Sequence, residues 1–117
     1  MNVTVISGDP KKIKNTSNDW CVYPETLYLH PKLQVEYVNN LIIDNRKEDN
    51  TIITNSDHII NALRVARKNS KINDLVIYFY LFNSDERIEI KSDKDGRFNI
   101  YPNDFMDEWS NQLSQLI

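Results

Sequence analysis

The sequence predicts an α/β domain with a small, mainly parallel sheet, flanking helices and a C-terminal β-hairpin. Short β-branched or apolar runs of strand length alternate along the chain with segments in which apolar residues recur at helical spacing. The connections between these segments are short enough for one layered α/β unit. The chain has 117 residues, which suits a single domain with one modest core, and we treat residues 1–117 as that domain.

The N-terminal quarter of the chain predicts strands and loops rather than long helices. Its apolar runs are short and are separated by a turn signal and a polar stretch. The predicted elements are a strand within Met1–Ser7, a turn at Gly8–Pro10, a loop over Lys11–Asn18 and a strand over Trp20–Tyr23.

The middle of the chain predicts the order helix, strand, helix. Pro31 suits the first turn of a helix, where a backbone N–H is not needed. Apolar residues follow it at helical period: Leu33, Tyr37, Val38, Leu41 and Ile42. Thr51–Thr54 is a β-branched run typical of a strand. Asn55, Ser56 and Asp57 are all good N-cap residues for the next helix, whose apolar face is formed by Ile59, Ile60, Leu63 and Ala66.

The last third of the chain predicts the strongest strand and a hairpin. Leu75–Phe82 is apolar at every position, which favours a central strand buried on both faces. Arg87–Ile90 alternates between charged and apolar residues, as a half-exposed strand does. The remaining predicted elements are turns at Asn83–Asp85 and Asp93–Gly96, a short strand over Phe98–Tyr101, and a final helix capped by Asn103 or Asp104.

Composition argues for an ordinary soluble domain. Hydrophobic residues make up 40% of the chain and charged residues 26%, and the net charge is −3. An acidic balance argues against broad nucleic-acid binding. One cysteine, Cys21, excludes an internal disulfide framework. No apolar run reaches the roughly 20 residues of a membrane span, and no signal peptide opens the chain, so we expect a cytoplasmic protein of a bacterial cell or a phage-infected host.

Three segments resemble a family of ABC-type ATPases. Pro24–Glu25 with Leu29–Gln34 resembles the segment that follows the Walker B strand, and Ile52–His58 resembles the next strand and its switch loop. Tyr101–Trp109 resembles the C-terminal segment. The family is the RecF-like and overcoming-lysogenization-defect (OLD) group of DNA-repair and anti-phage ATPases. The resemblance covers about Val22 to Trp109 and implies that the chain is similar to the C-terminal half of a P-loop ATPase core.

The residues that the chemistry of that family needs are missing. The sequence has no G-x-x-x-x-G-K-[ST] motif, and Gly8 and Gly96 are its only glycines. The acidic Walker B positions correspond to Val22 and Tyr23, which can neither hold Mg²⁺ nor orient water. Asn55 stands at the switch-histidine position and cannot pass a proton as imidazole does. We therefore expect no catalytic residues, no metal and no cofactor.

The resemblance implies a non-catalytic interaction protein, one form of which is a phage- or mobile-element-encoded inhibitor or decoy of a repair or defence ATPase. We expect a protein partner or self-association, nucleic acid only through a partner, no membrane and no small-molecule substrate. In the family, the two loops that follow the strands face a partner subunit. The candidate partner-binding residues are therefore Glu25, His30, Asn55, Ser56, Asp57 and His58.

Two other functions are open at this point. The chain could be a subunit that completes a nucleotide site in trans with a separate P-loop chain. It could also be a small DNA-processing enzyme in which His58 pairs with Asp57 or Glu25 as an acid–base unit. Two further patterns are interpreted as structural: the basic edge of Arg64, Arg67, Lys68 and Lys71 as a solvated helix face, and the aromatic run of Tyr78, Phe79, Tyr80 and Phe82 as core.

Overall fold

An open mixed sheet with helices connecting its strands forms the protein. The computed structural model describes residues 1–13, 21–22, 31–45, 48–82, 84–102, 105–106 and 115. Along the chain, the elements are β1 (Asn2–Gly8), α1 (Pro10–Ile13), β2 (Cys21–Val22), α2 (Pro31–Asn45), β3 (Asn50–Ile53), α3 (Asp57–Lys68), β4 (Asp74–Tyr80) and β5 (Arg87–Lys91).

The sheet runs in the order β2-β3-β1-β4-β5. The pairings of β2 with β3, of β3 with β1 and of β1 with β4 are parallel, and that of β4 with β5 is antiparallel. β1 therefore lies in the middle of the described sheet, although it comes first in the chain and is only weakly marked in the sequence. Its Val5 is level with Ile52 on one side and with Ile77 on the other.

The core lies on one face of this sheet. Val3, Val5, Ile52, Leu75, Ile77 and Phe79 alternate along neighbouring strands and are at most 2% exposed. They form one cluster with the inner faces of α2 and α3 and with the aromatic rings of Phe98 and Phe105. The predicted apolar face of α3 is confirmed, because its buried residues are Ile59, Ile60, Ala62, Leu63 and Ala66.

The prediction that β4 is buried on both faces is wrong. Leu75, Ile77 and Phe79 are buried, but Val76 and Tyr78 between them are only partly buried. A continuous apolar run does not reveal which face of a strand the rest of the chain covers, and the core cluster covers only one face. The strand is nevertheless interior, because it pairs with β1 on one side and β5 on the other.

Several other boundaries differ from the sequence-based expectations. Residues 11–13 are helical, not a loop, because the backbone N–H groups of Lys12 and Ile13 both donate to the carbonyl oxygen of Asp9. The core face of α2 centres on Val38 and Ile42, so that Leu33 is 46% exposed. The predicted strand over residues 98–101 is reduced to one bridge between Ser92 and Phe98. Of the predicted C-terminal helix, only Phe105, Met106 and Gln115 lie within the described residues.

A tight turn after β5 packs against α3. The N–H groups of Asp95 and Arg97 donate to the Asp93 carboxylate, and the Arg97 N–H holds the pKa of that carboxyl below its ordinary value. Arg64 reaches the turn from α3, donating from Nε to the Gly96 oxygen at 2.8 Å and stacking 4.8 Å above the Phe98 ring. The turn at residues 93–96 is therefore confirmed, and it joins the hairpin to the helix layer.

Candidate functional site

The strand order creates a crevice between the carboxyl ends of β1 and β3. From β1 the chain continues to β2, which lies beyond β3; from β3 it continues to β4, which lies beyond β1. Open α/β sheets bind ligands outside the carboxyl ends of the strands, at such a point where neighbouring connections lead in opposite directions. We call this place the switch-point crevice and define it by Ser7 and Gly8 at the end of β1 and by Thr54, Asn55 and Ser56 after β3.

The side chain of Asn55 closes the switch-point crevice. Its Oδ1 accepts hydrogen bonds from the Ser7 hydroxyl at 2.7 Å and from the Gly8 N–H at 2.8 Å. Its Nδ2 donates to the Gly8 carbonyl oxygen at 2.9 Å. The amide thus pairs with Gly8 as a neighbouring strand would, and it extends the β1–β3 pairing beyond the last bond of the ladder, from the Thr54 N–H to the Ile6 oxygen.

Gly8 is required at its position by space as well as by backbone conformation. Its φ is +108°, a region that residues with a side chain rarely adopt. A Cβ added there would lie 2.1 Å from the Tyr80 carbonyl oxygen. The glycine therefore lets the chain turn out of β1 while it stays in contact with β4.

The backbone N–H groups from Gly8 to Ile13, where the described segment ends, all donate to acceptors within the chain. The Asp9 N–H donates to the Tyr80 oxygen at 3.0 Å, and the Lys11 N–H donates to the Asp9 carboxylate at 3.0 Å. The N–H groups of Lys12 and Ile13 donate to the Asp9 carbonyl oxygen, each at 3.1 Å, and Pro10 has no N–H. With the Gly8 N–H bound to Asn55, each N–H from Gly8 to Ile13 has an acceptor in the protein itself. A phosphate cradle needs such donors to point at the ligand.

The first turn of α3, on the other side of the switch-point crevice, is also capped internally. Of the three N-cap candidates that the sequence offered, Ser56 is the residue that caps α3. Its hydroxyl oxygen accepts a hydrogen bond from the Ile59 N–H at 3.5 Å. The same hydroxyl donates to the Gln34 side-chain oxygen of α2 at 2.5 Å. Asp57 brings a carboxylate to this helix end, which suits the helix dipole and opposes the binding of a second anion.

The structure places the sequence-predicted site residues in three groups. Asn55 and Ser56 lie in the switch-point crevice, and Asp57 and His58 lie in the first turn of α3, where His58 is exposed. Glu25 and His30 lie outside the described residues. The sequence patterns did not identify Ser7 and Gly8 as site residues; they indicated only the end of a strand and a turn at these positions. The one signal for them was a glycine directly after a strand, and their partner lies 47 to 48 residues further along the chain.

Two further properties concern the described part of the chain. Among these residues, no group of three or more His, Cys, Asp or Glu side chains could hold a metal ion. No helix among them is long and apolar enough to cross a membrane. Comparison of the chain with protein-family models, with curated proteins and with solved structures found no match.

Proposed function

We propose that this chain is a non-catalytic interaction protein derived from an ATPase of the RecF-like, OLD group. Its partner is a full-length ATPase of that lineage or a protein which that ATPase itself binds, and it acts in the bacterial or phage-infected cytoplasm. One concrete form is a phage- or mobile-element-encoded inhibitor or decoy.

The observation that carries this proposal is that each backbone N–H from Gly8 to Ile13 already donates to an acceptor in the chain itself. The switch-point crevice is where a protein with this strand order would hold a phosphate. Here the Gly8 N–H donates to Asn55 and the next donors bind Asp9 and Tyr80. A phosphate bound here would have to displace the acceptors that these N–H groups already have, so binding would exchange hydrogen bonds rather than add them.

The strand pairing supports the derivation from an ATPase-like core. β2 stands where the Walker B strand of the family would lie, and β3 belongs to the segment that resembles the switch strand. The two strands pair in parallel with each other. Asn55 and Ser56 after β3, together with Asp57 and His58 in the first turn of α3, lie at the same edge of the sheet as the turn after β1. The resemblance assigns this edge to contacts between subunits, and such contacts need no P-loop.

We expect the isolated chain neither to bind Mg-ATP at micromolar concentration nor to hydrolyse it. One reason is that the donors of the switch-point crevice already have acceptors in the chain. The other is that Val22 and Tyr23, at the positions of the acidic Walker B residues, cannot hold Mg²⁺. Calorimetric titration with Mg-ATP and a phosphate-release assay measure both properties. Micromolar binding, or turnover that one substitution in this chain abolishes, would contradict the proposal.

We also expect a purified full-length ATPase of the RecF-like group to bind the chain through the α3 end of the crevice. His58 is exposed there, so we expect His58→Glu to fold as the wild type does while it puts a second carboxylate beside Asp57. The measured dissociation constant should rise by about tenfold or more if the contact is desolvated. Lys94→Glu is the matched control, because Lys94 is exposed in the turn after β5, away from this edge. Equal weakening by both variants, or no binding by the wild type, would refute this contact.

The alternative is a subunit that completes a nucleotide site in trans. The exposure of His58 beside the switch-point crevice is the observation that favours it. In that case Mg-ATP binds only when a P-loop-bearing chain is added, and His58→Glu lowers ATP turnover of the mixture. In the leading proposal, the added ATPase is unaffected or inhibited.

A further inference from the structure

β5 is an edge strand of the described sheet, and its hydrogen bonds fix which of its residues face outward. The Leu81 N–H donates to the Glu86 oxygen at 3.2 Å, and the Ser92 N–H donates to the Leu75 oxygen at 3.1 Å. In an antiparallel ladder, the residues that bond to one neighbour alternate with residues whose main-chain groups point away. The N–H and C=O groups of Ile88 and Ile90 therefore face β4, and those of Arg87, Glu89 and Lys91 face outward.

Among the described residues, Asn99 covers one end of this edge and the other end has no partner. Lys91 donates its N–H to the Asn99 side-chain oxygen at 2.9 Å, and its carbonyl oxygen accepts from the Asn99 N–H at 3.0 Å. Among the described residues, no hydrogen bond reaches the outward main-chain groups of Arg87 or Glu89. The open edge is thus a short segment around Ile88, and such an edge can pair with another strand.

We propose that the open edge of β5 pairs with β5 of a second copy of this chain, in antiparallel orientation, around a two-fold axis at Ile88. Each Arg87 then lies opposite Glu89 of the second copy, in a pair that exchanges both N–H···O=C bonds. The side chains of Arg87 and Glu89 share one face of the strand, so each meets the opposite charge across the axis. Ile88, which is partly buried, meets its own copy on the other face.

The charges of Arg87 and Glu89 favour this register over the registers in which the two-fold axis is shifted by one residue. A shift of the axis by one residue toward either end places Arg87 opposite Arg87 of the copy, or Glu89 opposite Glu89, and like charges directly opposite destabilise a sheet. A parallel arrangement in register also sets like charges side by side. The pairing uses the same surface on both copies, as a two-fold dimer does. The paired segment begins at Arg87, where β5 begins. It ends before Lys91, because the main-chain groups of Lys91 are already bonded to Asn99.

The existing contacts of the two charged side chains are compatible with the dimer. Glu89 lies 3.2 Å from the Lys91 ammonium, and both side chains are largely exposed, at 44% and 64%. A pair this exposed contributes little and can extend into a network with Arg87 of the copy. The Arg87 guanidinium lies 4.4 Å from the Tyr78 ring centre of β4. It is thus on the correct face of the sheet, and it turns from that ring toward the open edge to meet Glu89 of the copy.

This inference rests on the proposed association function and names a second copy as one partner. Charge reversal tests it in solution by sedimentation equilibrium over a concentration series. The wild type should dimerise, and Arg87→Glu or Glu89→Arg alone should weaken the dimer by about tenfold or more. A one-to-one mixture of these two variants should regain a dimer, because each variant then meets opposite charges on the other. The double variant R87E/E89R should also dimerise.

Lys94→Glu changes the net charge as Arg87→Glu does and is the control for that variant, and circular dichroism of each variant checks folding. A wild type that stays monomeric at every concentration would overturn the inference. Single reversals that dimerise as the wild type does, or a mixture that stays monomeric, would overturn it as well. These outcomes leave the ATP titration and the ATPase-binding test untouched, so failure of the β5 dimer and failure of the proposed function are distinguishable.

Discussion

Ile77→Asp is expected to unfold the protein. Ile77 is 0% exposed and lies in β4, level with Val5 of β1 and Ile90 of β5. A carboxylate at this position would be buried without a partner, which costs several kcal/mol. That is a large share of the roughly 5–15 kcal/mol that stabilises a typical domain. Circular dichroism and thermal melting of the purified variant measure the effect.

Val76→Asp is the matched control for this substitution. Val76 precedes Ile77 in the same strand, points to the opposite face and is only partly buried. The added charge and the lost β-propensity are the same, but the new carboxylate can reach water. We expect this variant to fold with a lowered melting temperature. If Ile77→Asp moved the melting temperature by only a degree or two, or if both variants behaved alike, the core would not lie on the assigned face.

Gly8→Ala is expected to have the second largest effect on stability. The residue has φ +108°, and a Cβ would lie 2.1 Å from the Tyr80 oxygen and 2.7 Å from the Tyr80 nitrogen. Both atoms belong to the backbone of β4, so the two strands would have to separate or the turn would have to change. The strained conformation and the steric overlap together should cost on the order of 2–5 kcal/mol. Denaturant titration of the variant gives this free energy of unfolding.

Two neighbouring substitutions separate the steric effect from the lost hydrogen bonds. Ser7→Ala removes only the hydroxyl that donates to Asn55, and Asn55→Ala removes all three bonds between its amide and β1. We expect about 1 kcal/mol for the first and about 1–3 kcal/mol for the second. If Gly8→Ala cost less than Ser7→Ala, the close contact between the turn and β4 would be wrong.

The local elements of this protein follow from the sequence because short-range physics determines them. The bounds of α3 were predictable, since Ile59, Ile60, Leu63 and Ala66 recur at helical spacing after capping residues. β5 was predictable from the alternation of Arg87, Ile88, Glu89 and Ile90. The missing P-loop motif also needs no structure, because two glycines, Gly8 and Gly96, cannot build it.

Only the tertiary structure decides which strands are neighbours and therefore what the candidate site contains. β1 carries a weak sequence signal, yet it lies between β3 and β4. Its turn meets Asn55, 47 residues away, through hydrogen bonds that no local pattern encodes. The face of β4 that is buried and the open edge at Arg87 and Glu89 are likewise set by pairing partners. Such contacts depend on how the whole chain closes into one sheet, and propensity and periodicity describe only neighbours along the chain.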